Sequence, residues 1–191
     1  MNKLDKLNNL KDEISNDRNL PLYGTANLVF GEGDIDCAVL FIGEAPGAEE
    51  DRLVRPFVGR SGKLLDKMIE SIGWKREQVY ISNIVKRRPP DNRDPLPSEI
   101  EAYKPYLARQ IEIINPRVIA TLGRFSTNYF LPMAKITRDQ GKLFKSANWR
   151  IFPLFHPAAV LRGTVPVNEY EASFKRLKMT VENEEKLFGP F

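Results

Sequence analysis

The feature that most constrains the fold is an apolar run that ends abruptly in a turn containing glycine and proline. The run covers residues 38–42 (AVLFI), and the turn at 43–47 (GEAPG) follows it directly. Apolar runs of this length, bounded by turn residues, are typical of strands buried on both faces, as in a parallel sheet. In open α/β sheets ligands bind at the carboxyl ends of such strands, where N–H groups of a turn can face them. The turn is therefore a candidate site, although a plain strand connection has the same pattern.

The rest of the chain alternates between strand and helix patterns. Three further buried strands are predicted, at 79–85, 117–122 and 149–155. The last of these is expected to pair with 143–145 in a small hairpin. The predicted helices cover 2–15, 61–72, 98–114, 123–130 and 168–187. Such alternation implies α/β architecture, with a mainly parallel sheet and helices on both of its faces.

The length and composition set limits on the class of protein. A chain of 191 residues suits one domain, which we expect to comprise an N-terminal helix and connection at 1–27, a core at 28–165 and a C-terminal helix at 166–191. The single cysteine, Cys37, excludes an intramolecular disulfide and a cysteine-rich metal site, and it is typical of a reducing compartment such as the cytoplasm. Without a long apolar run or a signal-peptide pattern, we expect neither a membrane span nor secretion. The net charge of +4 permits a polyanionic partner.

Polar residues lie at the ends of three of the predicted strands, namely Glu44, Asn83 and His156. Taken singly, Asn83 is more often a turn residue, and a lone histidine before proline is more often a structural loop residue. Because the carboxyl ends of parallel strands meet at one edge of a sheet, we expect the three side chains to lie close together. A carboxylate, an amide and an imidazole at one edge are a hypothesis for a catalytic site.

Four motifs make this hypothesis specific. In chain order they are 43–47 (GEAPG), 55–59 (RPFVG), 83–90 (NIVKRRPP) and 156–162 (HPAAVLR). Over residues 28–165 the chain resembles the family 4 uracil-DNA glycosylases. The resemblance implies a three-layer α/β/α sandwich with a central four-stranded parallel sheet. It also implies a monomeric base excision repair enzyme that hydrolyses the N-glycosidic bond of uracil in DNA and leaves an abasic site.

The resemblance assigns the cleavage chemistry to two residues. His156 would donate a hydrogen bond to uracil O2, assisted by N–H groups of the turn that includes Gly43, Ala45 and Gly47. Glu44 would position the attacking water or stabilise the cationic sugar, and the sequence does not separate these roles. No lysine lies in the motifs that would face the base, so we expect no lyase step through a Schiff base.

Base recognition is assigned by the same resemblance to three residues. Phe57 would stack on the flipped base. Asn83 would donate to uracil O4 and accept from N3–H, a pattern that cytosine presents in reverse. Glu50 would lie against C5 and obstruct the methyl group of thymine, whereas the plain alternative is a solvated carboxylate at the start of a helix.

The remaining motif residues are implied to contact DNA. Phosphate contacts would come from Lys86, Arg87, Arg88 and Arg162, although a basic run is also common in a solvated loop. The segment that ends at Arg162 would enter the minor groove, with apolar residues filling the base stack. Its other members are Pro157, Ala158, Ala159, Val160 and Leu161.

The chain departs from the family at the positions that hold a four-iron, four-sulfur cluster on four cysteines. The corresponding residues are Asn16, Asn19, Arg87 and Tyr103. Because such a cluster needs several thiolates, we expect no cofactor and no iron. Arg87 and Tyr103 are instead expected to pack against residues 20–22, through a hydrogen bond or a cation–π contact.

Two other functions remain open at this point. Loss of the cluster cysteines is compatible with a degenerate glycosylase fold that serves as a DNA- or protein-binding module, although the intact set of Glu44, Phe57, Asn83 and His156 favours an enzyme. A glycosylase for hypoxanthine or xanthine would differ in pocket size, and Asn83 together with Glu50 favours uracil. Covalent capture of DNA, a property of a related subgroup, is disfavoured because the basic loop contains no histidine.

Overall fold

A mixed six-stranded sheet forms the centre of the fold in the computed structural model, which describes the backbone of residues 1–188 and the side chains of residues 1–183. The strands are β1 (Glu32–Gly33), β2 (Val39–Gly43), β3 (Tyr80–Asn83), β4 (Val118–Leu122), β5 (Phe144–Ser146) and β6 (Trp149–Leu154). They lie in the order β1-β3-β2-β4-β6-β5. The four inner strands are parallel, and each edge strand runs antiparallel to its neighbour.

The predicted α/β architecture is confirmed, but the sheet has two strands more than the four that were predicted. The hairpin arm β5 was expected, and its Lys145 pairs with Arg150 of β6. The other edge strand, β1, was missed because it is only two residues long. Its close approach to β3 depends on glycine, since a Cβ on Gly33 would lie 1.9 Å from the Val79 carbonyl oxygen.

Helices cover both faces of the sheet. The described helices are α1 (Lys3–Asn16), α2 (Ala48–Leu53), α3 (Arg60–Ser71), α4 (Pro97–Ile114), α5 (Arg124–Phe130), α6 (Ile136–Asp139), α7 (Pro157–Leu161) and α8 (Val167–Phe188). Residues 189–191, which the domain prediction includes, lie outside the described residues. Among the helices of the described chain, none combines the length and the apolar character needed to cross a membrane.

Two apolar cores lie on opposite faces of the sheet and define the three layers. Side chains alternate along a strand, so Phe41 enters the core beneath α3 and α8, whereas Leu40 and Ile42 enter the core beneath α1 and α4. All five residues of β2 are buried. This double burial explains why β2 is a continuous apolar run rather than an alternating pattern.

The carboxyl ends of the inner strands bring the motifs to one edge of the sheet. Gly43 at the end of β2 pairs with Asn83 at the end of β3. Gly123 follows β4 directly, and His156 lies two residues beyond β6. The parallel register therefore places the turn, the amide and the imidazole around a common space.

Candidate active site

A small cavity of about 160 Å³ lies at this edge of the sheet. Its lining residues are Ala45, Gly47, Glu50, Phe57, Ser61, Asn83 and His156. A cavity of roughly 150 Å³ in another protein accommodates benzene, so the space suits a single six-membered ring. A larger cleft of about 680 Å³ adjoins it and shares Ala45, Gly47, Ser61 and His156.

The positions of two lining residues, Asn83 and Phe57, depend on the absence of a side chain at Gly43. A Cβ at this position would lie 2.5 Å from Asn83 Oδ1 and 2.6 Å from the ring of Phe57. Both distances are below any normal contact, so only glycine allows the aromatic ring and the amide to approach β2 together. Phe57 is itself 6% exposed, and its ring centroid lies 5.9 Å from that of His156.

Asn83 presents an amide whose hydrogen-bonding capacity is incompletely used. The residue is 1% exposed, and its Oδ1 atom has no hydrogen-bond partner among the described residues. An unpaired buried acceptor costs about 1–3 kcal/mol, so such groups need a specific explanation. A ligand in the cavity that offers an N–H group would supply one.

His156 is held as a neutral imidazole with a defined tautomer. It caps the N-terminus of α7, where its Nδ1 accepts a hydrogen bond of 3.1 Å from the Ala158 N–H. Burial, assisted by the charge of Arg162, lowers the pKa of His156 to about 4. The ring is therefore uncharged at neutral pH, and its proton lies on Nε2, which is free to donate to a ligand.

Glu44 lies half-buried on the larger cleft. Burial raises its pKa from the ordinary value of 4.5 to about 7, and the Asp94 carboxylate raises it further, while Arg124 acts in the opposite direction. A carboxylate poised near neutral pH suits a group that works beside a developing cation or an attacking water.

Replacing Glu44 by Gln is expected to stabilise the folded protein. Because the folded-state pKa is raised, the native state holds this proton more tightly than the unfolded chain, and wild-type stability is lost as pH rises from about 4.5 through about 7. At pH 8 the variant should gain about 1–3 kcal/mol in the free energy of unfolding, after allowance for solvent screening of a half-buried group. Denaturant unfolding at pH 4 and pH 8 measures it. An equal effect at both pH values would contradict the raised pKa.

Glu50 joins two loops rather than standing free in solvent. Its Oε1 accepts from the N–H groups of Val58 at 3.0 Å and Gly59 at 2.9 Å, and its Oε2 accepts from the Gly47 N–H at 3.2 Å. The carboxylate thus lies at a helix start, as the plain alternative supposed, but it is half-buried and bound by backbone donors. It also lines the cavity, and its predicted contact with C5 of a base stays a prediction.

Two of the predicted phosphate contacts are wrong, since Lys86 is 0% and Arg87 3% exposed. The ammonium of Lys86 donates to Ser82 Oγ and Gln110 Oε1, both at 2.5 Å, and to the Asn83 carbonyl at 3.0 Å. Burial lowers the pKa of Lys86 to about 7. These contacts turn Lys86 inward, beneath the strand end that carries Asn83. Arg88 remains partly exposed and donates to Asn92 Oδ1 at 2.7 Å.

The predicted groove-entering segment is only partly exposed. Pro157 and Val160 are buried, and Val160 packs into the core beneath α7, so neither side chain is placed to enter a base stack. Ala158 and Ala159 line the larger cleft, as does Arg162. The apolar side chain of this segment that projects into solvent is Leu161, at 41% exposure.

Residues on the cleft that the sequence analysis missed follow β4. Arg124 begins α5 directly after Gly123, and its guanidinium lies 4.5 Å from the ring centroid of Phe125. Both line the larger cleft, as does Arg93 from the loop between β3 and α4. Gly123 also makes room for the histidine, since a Cβ there would lie 2.9 Å from His156 Cβ. The sequence could have indicated Arg124 and Phe125, because ligands are expected at the carboxyl end of β4 for the same reason as at that of β2.

The positions that correspond to the cluster cysteines do not fit an iron–sulfur cluster. The Arg87 Nη1 donates to the Tyr103 hydroxyl at 3.1 Å, and that hydroxyl donates to the Pro21 carbonyl at 2.8 Å. The Arg87 guanidinium also lies 5.2 Å from the ring centroid of Tyr23. The predicted packing against residues 20–22 is confirmed by the hydrogen bond to Pro21, whereas the cation–π contact involves Tyr23, which was not predicted. Arg87 and Tyr103 offer a cationic and a phenolic group where a cluster needs thiolates. Burial raises the pKa of Cys37 to about 12, so this lone thiol stays protonated.

Removal of the Tyr103 hydroxyl is expected to destabilise the protein. Tyr103→Phe would leave the part-buried Pro21 carbonyl and one donor of the buried Arg87 without their partner, at a cost of about 1–3 kcal/mol in the free energy of unfolding. Urea unfolding measures the change. Tyr106→Phe is the matched control, because that hydroxyl donates to Asp17 at a more exposed position and should matter less. Equal effects of the two variants would argue against a central role for the Arg87–Tyr103 pair.

Comparison with known proteins identifies the family. The model of the uracil DNA glycosylase superfamily matches residues 30–178, and the chain belongs to this superfamily. It is 42% identical over 184 residues to a type-4 uracil-DNA glycosylase of Archaeoglobus fulgidus, across 91% of this chain and 92% of that protein. It is 43% identical to the type-4 enzyme of Sulfurisphaera tokodaii, across 92% of this chain and 84% of that protein. With the type-4 enzyme of Thermotoga maritima the identity is 46%, across 75% of this chain and 77% of that protein.

Proposed function

We propose that this protein is a monofunctional uracil-DNA glycosylase, which hydrolyses the N-glycosidic bond of uracil in DNA and leaves an abasic site. The observation that carries the proposal is the pairing of two groups in one ring-sized cavity. A neutral His156 offers an Nε2–H donor, and Asn83 offers an unpaired amide. Uracil presents carbonyl acceptors at O2 and O4 with an N–H donor between them, which complements this set.

Bond cleavage breaks the bond between C1′ of the sugar and N1 of uracil, and the electron pair leaves with the base. Negative charge then develops on the uracil oxygens, where the His156 Nε2–H donates to O2. Preorganised donors of this kind stabilise a transition state without reorganising during the reaction. The sugar becomes cationic, and the Glu44 carboxylate stabilises it and orients the attacking water. The water oxygen bonds to C1′, one water proton is lost to solvent, and the departing uracil anion takes up a proton from solvent. Both actions of Glu44 need its ionised form, so activity should fall as pH drops below about 7.

Specificity for uracil follows from the Asn83 amide. Its Nδ2 donates to O4, and its Oδ1 accepts from N3–H, which removes the unpaired state of that oxygen. Cytosine has an amine at position 4 and an acceptor at N3, so each bond would be replaced by a clash of like groups. A site built on hydrogen bonds rejects such analogues strongly because its buried polar groups would be left unpaired. Phe57 supports either pyrimidine by stacking and contributes no discrimination.

DNA would lie along the larger cleft, with the uridine flipped into the cavity. Arg162 and Arg124 are exposed at the cleft and would contact phosphates, together with Arg88 beside it. Leu161, exposed at the end of α7, would fill the position that the nucleotide leaves in the stack. We propose that the protein acts on DNA as a monomer in the cytoplasm and without an iron–sulfur cluster.

A strand-cleavage assay tests the function. A labelled oligonucleotide with one uracil is incubated with protein and then treated with alkali, which breaks abasic sites. Breaks only with uracil and only after alkali are expected, with strong reductions in Glu44→Ala, Asn83→Ala and His156→Ala that remain folded. Breaks before alkali would contradict the monofunctional assignment. No cleavage of single- or double-stranded uracil DNA by folded wild type, with DNA binding retained, would instead favour an interaction module.

A further inference from the structure

Phe57, the residue proposed to stack on the base, has an unusual backbone conformation. Phe57 has φ of +50°, in the left-handed region that non-glycine residues rarely adopt. Conformations of this kind persist only when the surrounding structure fixes them. The close packing of α3 is one constraint, since a Cβ on Gly62 would lie 1.9 Å from the Phe57 carbonyl oxygen. Polar contacts on the two sides of the loop provide the others.

Arg76 holds the carbonyl side of this loop from outside the cavity. It begins the 3₁₀ turn Arg76–Gln78, between α3 and β3. Its Nη1 donates to the Phe57 carbonyl at 3.1 Å, and its Nη2 donates to the Pro56 carbonyl at 2.5 Å. The side chain is 16% exposed, so these bonds are largely shielded from water.

Acidic partners hold the Arg76 guanidinium in place. Asp66 accepts from Nη1 at 2.6 Å, and Glu32 accepts from Nη2 at 2.8 Å and from Nε at 3.1 Å. Two of the five hydrogen bonds of Arg76 therefore go to carbonyl groups of the loop, and the other three hold the guanidinium that donates them. Glu50 holds the same loop from its other side, because its carboxylate accepts hydrogen bonds from the N–H groups of Val58 and Gly59.

We propose that Arg76 is a positioning residue for base capture, which acts with Glu50 as a two-sided clamp that holds Phe57 in its stacking conformation. The proposal rests on the proposed function for its consequence in catalysis. Arg76 does not line the cavity and lies instead on a separate surface cleft with Glu32 and Arg55. Its influence on the base must therefore pass through the loop. Stacking of one base on an aromatic ring accounts for about 1–3 kcal/mol, which corresponds to roughly 5- to 150-fold in affinity.

The test compares Arg76→Gln with Arg55→Gln. Arg55 is a matched control because it pairs with the same Glu32 at 2.7 Å but donates to neither loop carbonyl. Inhibition of the glycosylase by free uracil is measured, since this constant reports on the base pocket without DNA contacts. Arg76→Gln should raise the inhibition constant at least fivefold, Arg76→Lys should restore part of the loss, and Arg55→Gln should change it less than twofold. Equal effects of Arg76→Gln and Arg55→Gln, or no effect of Arg76→Gln, would overturn the proposal.

Two further measurements separate the clamp from general destabilisation and from failure of the proposed function. In a double-mutant cycle with Phe57→Ala, Arg76→Gln should have little additional effect on the uracil constant, and additive effects would contradict action through Phe57. Amide hydrogen exchange at Val58 and Gly59 needs no activity, and it should accelerate in Arg76→Gln but not in Arg55→Gln. Unchanged exchange would refute the clamp even in an active enzyme. Accelerated exchange in a protein that does not cleave uracil DNA would support the clamp by Arg76 and Glu50 but contradict the proposed glycosylase activity.

Discussion

Replacement of His156 by Ala is expected to lower the single-turnover rate of uracil release by about 100- to 1,000-fold, the usual effect of deleting one donor to a developing oxyanion. The donor is a neutral Nε2–H, because Nδ1 accepts from the Ala158 N–H and burial depresses the pKa to about 4. Rapid mixing of excess protein with uracil-containing oligonucleotide measures the rate. Affinity for an abasic product oligonucleotide should change little, since the phosphate contacts proposed above lie elsewhere on the cleft.

The pH profile distinguishes a neutral histidine from a histidine that transfers a proton. A general acid with a pKa of about 4 would be deprotonated at neutral pH, and its contribution would fall tenfold for each pH unit above 4. A neutral donor contributes a constant amount from pH 5 upward, so the acidic limb of wild type should reflect Glu44, near pH 7. The His156→Ala variant should therefore show the same acidic limb in its pH–rate profile, with a lower rate at every pH. If His156→Ala has a normal melting temperature and a rate within tenfold of wild type, His156 does not contribute substantially to bond cleavage.

The strands that build the site were predictable because each inner strand is buried on both faces. Burial on two sides favours a continuous apolar run, and such a run is visible in a single sequence at 38–42 and, interrupted by Thr121, again at 118–122. A two-residue edge strand leaves no such pattern. The segment around Gly33 pairs with β3 because glycine permits a close backbone approach, a property that becomes visible only once the partner strand is known.

The basic run shows where sequence reasoning about side chains fails. Lys86, Arg87 and Arg88 are consecutive and chemically alike, yet the first two point into the protein and the third toward solvent. Their directions are set by acceptors far away in the chain, such as Gln110 for Lys86 and Tyr103 for Arg87. Charge alone carries no information about such partners. The replacement of the cluster positions was predictable because Arg87 and Tyr103 could be matched as a pair.

The position of Phe57 was predicted from its motif, but what holds it was not. Arg76 lies outside every motif, and its role depends on an unusual backbone angle at a residue 19 positions earlier. The same applies to Glu50, which sequence reasoning placed either against the base or in solvent. Both side chains act on backbone groups of one loop, so neither leaves a side-chain pattern to recognise. In the proposed function, specificity therefore depends on a few buried motif residues such as Asn83, whereas the geometry of the loop that carries Phe57 depends on Arg76 and Glu50, which lie outside the motifs.

Replacement of Asn83 by Asp is expected to reduce uracil cleavage by about 1,000- to 10,000-fold, the largest effect on the base pocket. The change removes the Nδ2 donor to O4 and sets a second acceptor, with charge, against the O4 oxygen. Activity on cytosine should fall far less, because its amine at position 4 can donate to the carboxylate. The ratio of the two kcat/KM values on matched oligonucleotides is the quantity to measure.

Asn83→Ala is the matched control for this prediction. It removes both hydrogen bonds without adding charge and relieves the unpaired Oδ1 of the free protein, so its loss on uracil should be smaller than that of Asn83→Asp. The ratio of uracil to cytosine cleavage should then follow the order wild type, Asn83→Ala, Asn83→Asp, from highest to lowest. This order is expected only if the Asn83 amide forms hydrogen bonds with the base. If the amide had only a structural role, its replacement would lower the activities on uracil and on cytosine together. An unchanged ratio in a folded Asn83→Asp variant would show that discrimination resides elsewhere, and Glu50 would be the next residue to test.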